Sequence, residues 1–151
     1  MERPAVDFDT RVKLAIYRHF EMTGQRPSLA DIATEVGAST GEVRESFARL
    51  RANRVLFLEP GGETIRMAPP FSGVPTQHRV LARNREYVAN CAWDALGIVA
   101  ALHEPATVIS ECAQSRERLE LAVGHQGPAE SDWVFHCLVP AARWWADLVY
   151  T

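Results

Sequence analysis

The stretch "ASTGEVRESFARLRANRVLFL", residues 38–58, decides the first half of the fold. Ser39 or Thr40 can cap a helix there, because both side chains accept a hydrogen bond from a first-turn N–H. Apolar residues then recur at helical spacing, namely Val43, Phe47 and Leu50. The closing "VLFL" is strand-like, and the turn "EPGGE" leads from it to a return strand, "TIRMA". The stretch therefore predicts a helix followed by a β-hairpin.

Two further helices are predicted upstream of this stretch. Residues 8–23 carry apolar side chains at mixed helical spacings, with Asp9 and Thr10 available as the N-cap. Residues 27–37 form a shorter helix with Ser28 as its N-cap and a glycine as its stop. Helix, short helix, helix and hairpin in this order are typical of a winged helix-turn-helix.

A winged helix can bind DNA through its third helix, where Arg44 and Arg51 share a face that Arg54 can extend. Two glutamates of the same helix interrupt that face. Residues 1–73 carry ten basic and ten acidic side chains, and the rest of the chain carries six and nine, which recovers the totals of 16 and 19. Phosphate binding usually requires a basic excess. We therefore favour a scaffold or partner-docking role over nucleic-acid binding.

A proline-rich stretch, residues 68–78, marks a domain boundary, so we expect a winged-helix-like domain over residues 1–70 and a second domain over residues 71–151. Residues 85–103 are predicted to form a helix. Partial period-two alternation predicts three strands, at residues 106–112, 118–124 and 132–139. The turn before the last strand contains glycine and proline, which favours antiparallel pairing of the last two strands. The predicted fold class is α+β.

Composition limits the function classes further. No uncharged run is long and apolar enough to cross a bilayer, and the N-terminus lacks the pattern of a signal peptide, so the expected location is the cytoplasm. The three cysteines are widely spaced, with no CxxC pair, which favours reduced thiols. The five histidines show no paired ligand spacing.

The segment "NCAWDALGI", residues 90–98, places Cys91 and Asp94 three positions apart. On a helix that spacing puts both side chains on one face. A cysteine early in a helix, with Asn90 as a possible N-cap, has its pKa lowered by the free N–H groups. The pKa of an aspartate beside an apolar wall is raised, so it can hold a proton. The alternative is structural, with Cys91 in the core and Asp94 on the surface or capping the helix.

The same segment, followed by "ATVISECAQS" and "VFHCLVPAARWWADLVYT", resembles the organomercurial (alkylmercury) lyase family over residues 75–151. The resemblance implies that Cys91 binds mercury as a thiolate and that Asp94 donates the proton that breaks a carbon–mercury bond. It also implies a small organometallic substrate, a mercury ion as product, an external thiol as co-reactant and no further cofactor. It says nothing about the oligomeric state.

The chain departs from the family pattern in one respect. The family's second catalytic cysteine follows the segment that resembles "WWADLVYT" by a few residues, whereas this sequence stops at Thr151. The apolar end favours a truncated sequence over a relative that never had this cysteine. We expect Cys112 to be a structural core thiol, and an oxidisable or metal-contacting role for it stays open. We expect Cys137 to be a core residue of a strand that does not replace the missing cysteine. Two alternatives stay open, namely a winged-helix metal- or redox-sensing regulator and a lyase-fold relative with a different or lost activity.

Overall fold

A computed structural model describes residues 6–147 of the 151-residue chain. Three helices come first, followed by a small sheet, a larger sheet interrupted by one helix, and a short 3-10 helix. The α-helices are α1 (Phe8–Thr23), α2 (Leu29–Val36), α3 (Thr40–Ala52) and α4 (Ala92–Leu102), and the 3-10 helix is Ala141–Ala146.

All strand pairings of the two sheets are antiparallel. The first sheet has the order β1-β2-β3, formed by β1 (Phe57–Leu58), β2 (Ile65–Ala68) and β3 (Phe71–Ser72). The second sheet has the order β5-β4-β6-β7-β8, formed by β4 (Arg79–Ala82), β5 (Arg85–Val88), β6 (Ala106–Glu111), β7 (Arg118–Gly124) and β8 (Gly127–Pro128). The α+β class predicted from the sequence is confirmed.

The first three helices begin where side-chain caps satisfy their free N–H groups. Ser28 and Ser39 each form a capping box with the acidic residue three positions on, so Ser39 rather than Thr40 caps α3. The cap of α1 is Asp7, whose carboxylate accepts from the Thr10 N–H at 3.0 Å. The predicted cap Asp9 instead accepts hydrogen bonds from two side chains of α3, those of Ser46 and Arg49. Asp9 therefore docks α1 on α3.

One buried cluster includes residues from both halves of the chain. At its centre the Phe71 ring stacks on Phe20 of α1 at 5.2 Å and lies 6.1 Å from the ring of Tyr87 in β5. The Tyr87 hydroxyl donates to the Glu21 carbonyl of α1 at 2.8 Å. The helical segment and the larger sheet are therefore packed against each other next to β3.

The predicted helix over residues 85–103 is wrong in its first third. Arg85–Val88 is the strand β5, which pairs with β4 through a turn at Arg83 and Asn84, both with positive φ. Burial alternates along β5, with Tyr87 fully buried and Glu86 exposed. That alternation is the period of a strand, and α4 begins only at Ala92.

The strand predicted over residues 132–139 is also wrong. After β7 the chain turns at once and pairs with β8, which occupies the position expected for that strand. Residues 129–137 have no regular structure. Several of their large apolar side chains are exposed, namely Trp133, Val134 and Phe135. Among residues 6–147, no helix combines the length and the apolar character needed to cross a membrane.

Candidate active site

Cys91 is the N-cap of α4. Its backbone is extended, with φ −150° and ψ 177°, and its Sγ accepts a hydrogen bond from the Asp94 backbone N–H at 3.4 Å. The sequence offers Asn90 as a possible cap, and the structure places the cap one residue later, at Cys91. Because an N-cap side chain bends back over the first turn, the Cys91 sulfur lies against the backbone of Asp94. The structure therefore brings the two predicted site residues together.

Asp94 is the third residue of α4, and its side chain is half-buried. Its carboxylate oxygen Oδ2 accepts a hydrogen bond from the Asn90 side-chain Nδ2 at 2.9 Å. The thiol and the carboxyl are thus held by one short segment, residues 90–94. Neither contact depends on a residue distant in the sequence.

A second segment, residues 69–71, supports this site from the other side; we refer to it as the proline support. The Asn90 Nδ2 also donates to the carbonyls of Pro70 and Phe71, each at 3.3 Å. The Tyr17 hydroxyl of α1 donates to the Pro69 carbonyl at 3.0 Å. The proline support also packs closely on α4, since a Cβ added to Gly97 would lie 3.2 Å from the Pro70 Cβ. Three elements therefore meet beside Cys91.

Burial dominates the electrostatics of the pair. It raises the pKa of the Cys91 thiol above its ordinary value; the hydrogen bonds from the Asp94 and Trp93 N–H groups oppose this, and the negative charge of Asp94 adds to it. The lowered cysteine pKa expected from the sequence is therefore wrong. Burial also raises the pKa of Asp94, as predicted, and the bond from Asn90 opposes it. Both groups retain protons more strongly than they would in water.

The Tyr17 hydroxyl is affected by burial and by the Asp94 charge. Burial, and after it the Asp94 charge, raise the pKa of the Tyr17 hydroxyl. This hydroxyl therefore stays protonated and keeps donating to the Pro69 carbonyl.

The apolar wall expected around the pair forms only in part. Ile98 is buried and Leu96 is half-buried, but Trp93 is 55% exposed. The Trp93 ring lies 5.7 Å from that of Phe135, so the irregular segment after β8 covers the first turn of α4. Cys137 in that segment is exposed, and its predicted place in the core is wrong.

Cys112 directly follows β6 and is half-exposed, so the predicted core position is wrong for this thiol too. Its Sγ accepts a hydrogen bond from the Ser115 N–H at 3.5 Å. Hydrogen bonds from the side chain and backbone of Ser115 lower the pKa of this thiol.

We expect Cys112 to be alkylated faster than Cys91 at neutral pH. The thiolate is the reactive form, and hydrogen bonding lowers the Cys112 pKa while burial raises that of Cys91. Peptide mass spectrometry after timed iodoacetamide treatment at several pH values measures both rates. The Cys91 rate should keep rising above pH 9.0, the ordinary thiol value. A faster reaction at Cys91 at pH 7 would contradict this assignment.

Other candidate groups lie elsewhere. The His78 Nδ1 is 2.8 Å from the Ser110 Oγ. Within residues 6–147, no three histidine, cysteine or acidic side chains form a group that could hold a metal ion. A shallow surface depression beside the β4–β5 turn includes neither Cys91 nor Asp94.

The predicted basic face of α3 is partly occupied. Arg44 forms an ion pair with Glu63 of the hairpin loop at 2.7 Å. The Arg54 guanidinium lies over the Trp145 ring, 5.6 Å from its centroid. Two of the three arginines predicted for DNA contact therefore have partners within the protein.

The fold and the site together define an α+β protein with a thiol and a carboxyl at the N-terminus of a partly buried helix. The family model for alkylmercury lyase, MerB, matches residues 71–151. That match covers more than half of the chain, so the protein belongs to the alkylmercury lyase family.

The fold is also similar to that of a solved structure, a crystal structure of the mercury-bound form of MerB2. The TM-score is 0.67 and the sequence identity 21%, with 85% of this chain and 62% of that chain covered. The chain therefore spans less than two thirds of that relative. No curated protein matches the chain. Residues 148–151 lie outside the described residues.

Proposed function

We propose that this protein is an organomercurial lyase-like enzyme in which Cys91 binds the mercury of a small organomercurial and Asp94 protonates the departing carbon. One observation supports the proposal: the Cys91 Sγ accepts a hydrogen bond from the Asp94 backbone N–H at 3.4 Å, and the side chain of the same residue carries a half-buried carboxyl. A soft thiolate suits a soft metal, and a carboxyl whose pKa is raised takes up a proton more readily than one in water.

Cleavage of the carbon–mercury bond needs one proton, which Cys91 and Asp94 share. The Cys91 proton moves to the Asp94 carboxylate, leaving a thiolate and a carboxylic acid. The thiolate attacks mercury and displaces its anionic ligand. The Asp94 proton then passes to the carbon as the carbon–mercury bond breaks, and the bonding electron pair goes to the new C–H bond. Hydrocarbon leaves, Asp94 is again a carboxylate, and mercury(II) remains on the Cys91 sulfur.

External thiols complete the cycle. A small thiolate adds to the bound mercury(II), and a second one displaces the Cys91 sulfur, which recovers a proton from water. The reaction thus consumes one organomercurial and two thiols and needs no further cofactor. We place it in the cytoplasm, where small thiols are abundant.

The rest of the chain serves as a scaffold in this proposal. Residues 1–70 form a winged-helix-like domain and residues 71–151 the lyase domain. The order of three helices and a hairpin supports the first assignment. The internal partners of Arg44 and Arg54 support a scaffold role over DNA binding.

The test is incubation of the protein with phenylmercuric acetate and excess small thiol in D₂O, with gas-chromatographic mass analysis of benzene. We expect catalytic release of benzene that carries one deuterium, because the proton comes from a solvent-exchangeable carboxyl. The Cys112→Ser variant is the matched control and should release benzene at the same rate. Stoichiometric binding of the mercurial without any benzene would refute the lyase proposal.

A further inference from the structure

We propose that Asn90 is a positioning residue of this site, whose side-chain amide holds the Asp94 carboxyl beside Cys91 by tying it to the proline support. This inference deepens the proposed function and rests on it for its catalytic consequence. It assigns a task to a residue that the sequence indicates only as a possible helix cap.

The orientation of the Asn90 amide follows from its partners. The Nδ2 group faces three oxygen atoms: Asp94 Oδ2 at 2.9 Å and the carbonyls of Pro70 and Phe71 at 3.3 Å. A flipped amide would place Oδ1 against all three acceptors, with no hydrogen between them. These contacts are favourable only when Nδ2 points towards the three oxygens, so Asn90 acts here as a donor.

The Oδ1 atom of the Asn90 amide shows that packing alone does not explain why an asparagine occupies this position. The Oδ1 atom is buried, and no donor among the described residues reaches it. A buried acceptor without a partner is unfavourable, and an apolar side chain of the same shape would avoid that cost. The benefit of an asparagine at this position therefore lies with the Nδ2 group and its three acceptors.

The contact connects two parts of the structure that meet at the site. Asp94 moves with α4, while Pro70 and Phe71 belong to the proline support, which Tyr17 of α1 holds at Pro69. A carboxyl at the surface of a helix has several staggered rotamers to choose from. Asn90 selects the one in which the carboxyl faces the proline support and not the solvent.

The test compares Asn90→Leu, which keeps the side-chain shape without the donor, with Thr76→Val as a matched control. Thr76 donates to the Ala89 carbonyl at 2.6 Å, one residue from Asn90, and does not contact Asp94. Both variants lose part-buried side-chain hydrogen bonds that involve residues 89–90. Steady-state kinetics of hydrocarbon release and thermal melts are measured for each.

For Asn90→Leu we expect kcat to fall roughly tenfold to a hundredfold, the usual effect of a misplaced catalytic group. KM for the mercurial should stay unchanged, because Cys91 still binds mercury. Thr76→Val should lower the melting temperature and leave both constants unchanged. An unchanged kcat in Asn90→Leu, with a melting temperature lowered as in Thr76→Val, would show a purely structural role and overturn the inference.

An infrared measurement separates this inference from the proposed function. The Asp94 carboxylate stretch, identified by its loss in Asp94→Asn at high pH, should shift in Asn90→Leu and stay in place in Thr76→Val. That outcome would support the contact even if the unaltered protein released no hydrocarbon. If Asn90→Leu does not fold, Asn90→Ala removes the donor without adding a charge and should show the same shift. A band that no variant moves would overturn the inference.

Discussion

Replacing Cys91 with serine is expected to reduce hydrocarbon release to the rate of external thiol alone. A serine hydroxyl is a hard ligand and stays protonated at neutral pH, so it neither displaces the anionic ligand nor holds mercury. The measurement is benzene release from phenylmercuric acetate beside the unaltered protein. Tight mercurial binding, followed by mass spectrometry of the intact protein, should be lost at this position as well.

The Cys91→Ser substitution should remove the thiol without destabilising the fold, because Cys91 is a helix cap. Serine is among the preferred N-cap residues and accepts the first-turn N–H more strongly than a thiol does. Cys91→Ser should therefore melt no lower than the unaltered protein, and the loss of activity cannot be attributed to unfolding. Retained release in this variant, with Cys112→Ser inactive, would move the reaction to the other thiol and refute the assignment.

Replacing Asp94 with asparagine should separate binding from bond cleavage. Asparagine can still accept from Asn90, and its backbone N–H still reaches the Cys91 Sγ, so the cysteine should still take up the mercurial. Without an ionisable carboxyl the proton transfer is lost, which commonly costs about 10²- to 10⁴-fold in rate. Single-turnover experiments should show a Cys91 adduct that retains its organic group, detected by intact mass. Rapid hydrocarbon release from this variant would exclude Asp94 as the proton donor.

The same variant reports on the burial of the carboxyl. The folded-state pKa of Asp94 is raised, so its ionised form is disfavoured on folding. That cost is absent below the ordinary carboxyl pKa of 3.8, where both states are protonated, and is complete above the raised pKa. Asp94→Asn should therefore be more stable than the unaltered protein at neutral pH and should lose this advantage in acid. Urea unfolding at several pH values measures the difference.

Local sequence signals predicted the parts of the fold that depend on neighbouring residues. The sequence predicts the N-cap Ser28 and gives Ser39 as one of two candidate caps, because a cap and the N–H group that it satisfies lie within three residues. The prediction of a helix over residues 85–91 is wrong because the apolar residues there fit a helical period as well as a strand period. Pairing with β4 makes residues 85–88 a strand. The predicted strand over residues 132–139 failed because the position of the β7–β8 turn, and not the alternation of apolar residues, determined which segment pairs with β7.

In the site, too, contacts between neighbouring residues could be predicted from the sequence and contacts between distant residues could not. The spacing of Cys91 and Asp94 indicated that they lie together, and the structure places them within one helical turn. Tyr17 and Pro70 could not be found in this way, since Tyr17 contacts a carbonyl 52 positions away and Asn90 contacts one 20 positions away. The direction of the Cys91 pKa shift could not be predicted from the sequence either. It depends on burial, and tertiary packing around the start of α4 determines that burial.

The attachment of α1 to β5 has a consequence for how the site can adapt to its substrate. The Glu21 carbonyl accepts from the Tyr87 hydroxyl and from the Arg85 guanidinium at 3.1 Å, and β5 leads directly into the residues that carry the thiol. A displacement of the last turn of α1 is therefore expected to displace β5, the strand that precedes Cys91. We therefore expect the contacts between α1 and β5 to limit how far the Cys91 sulfur can move.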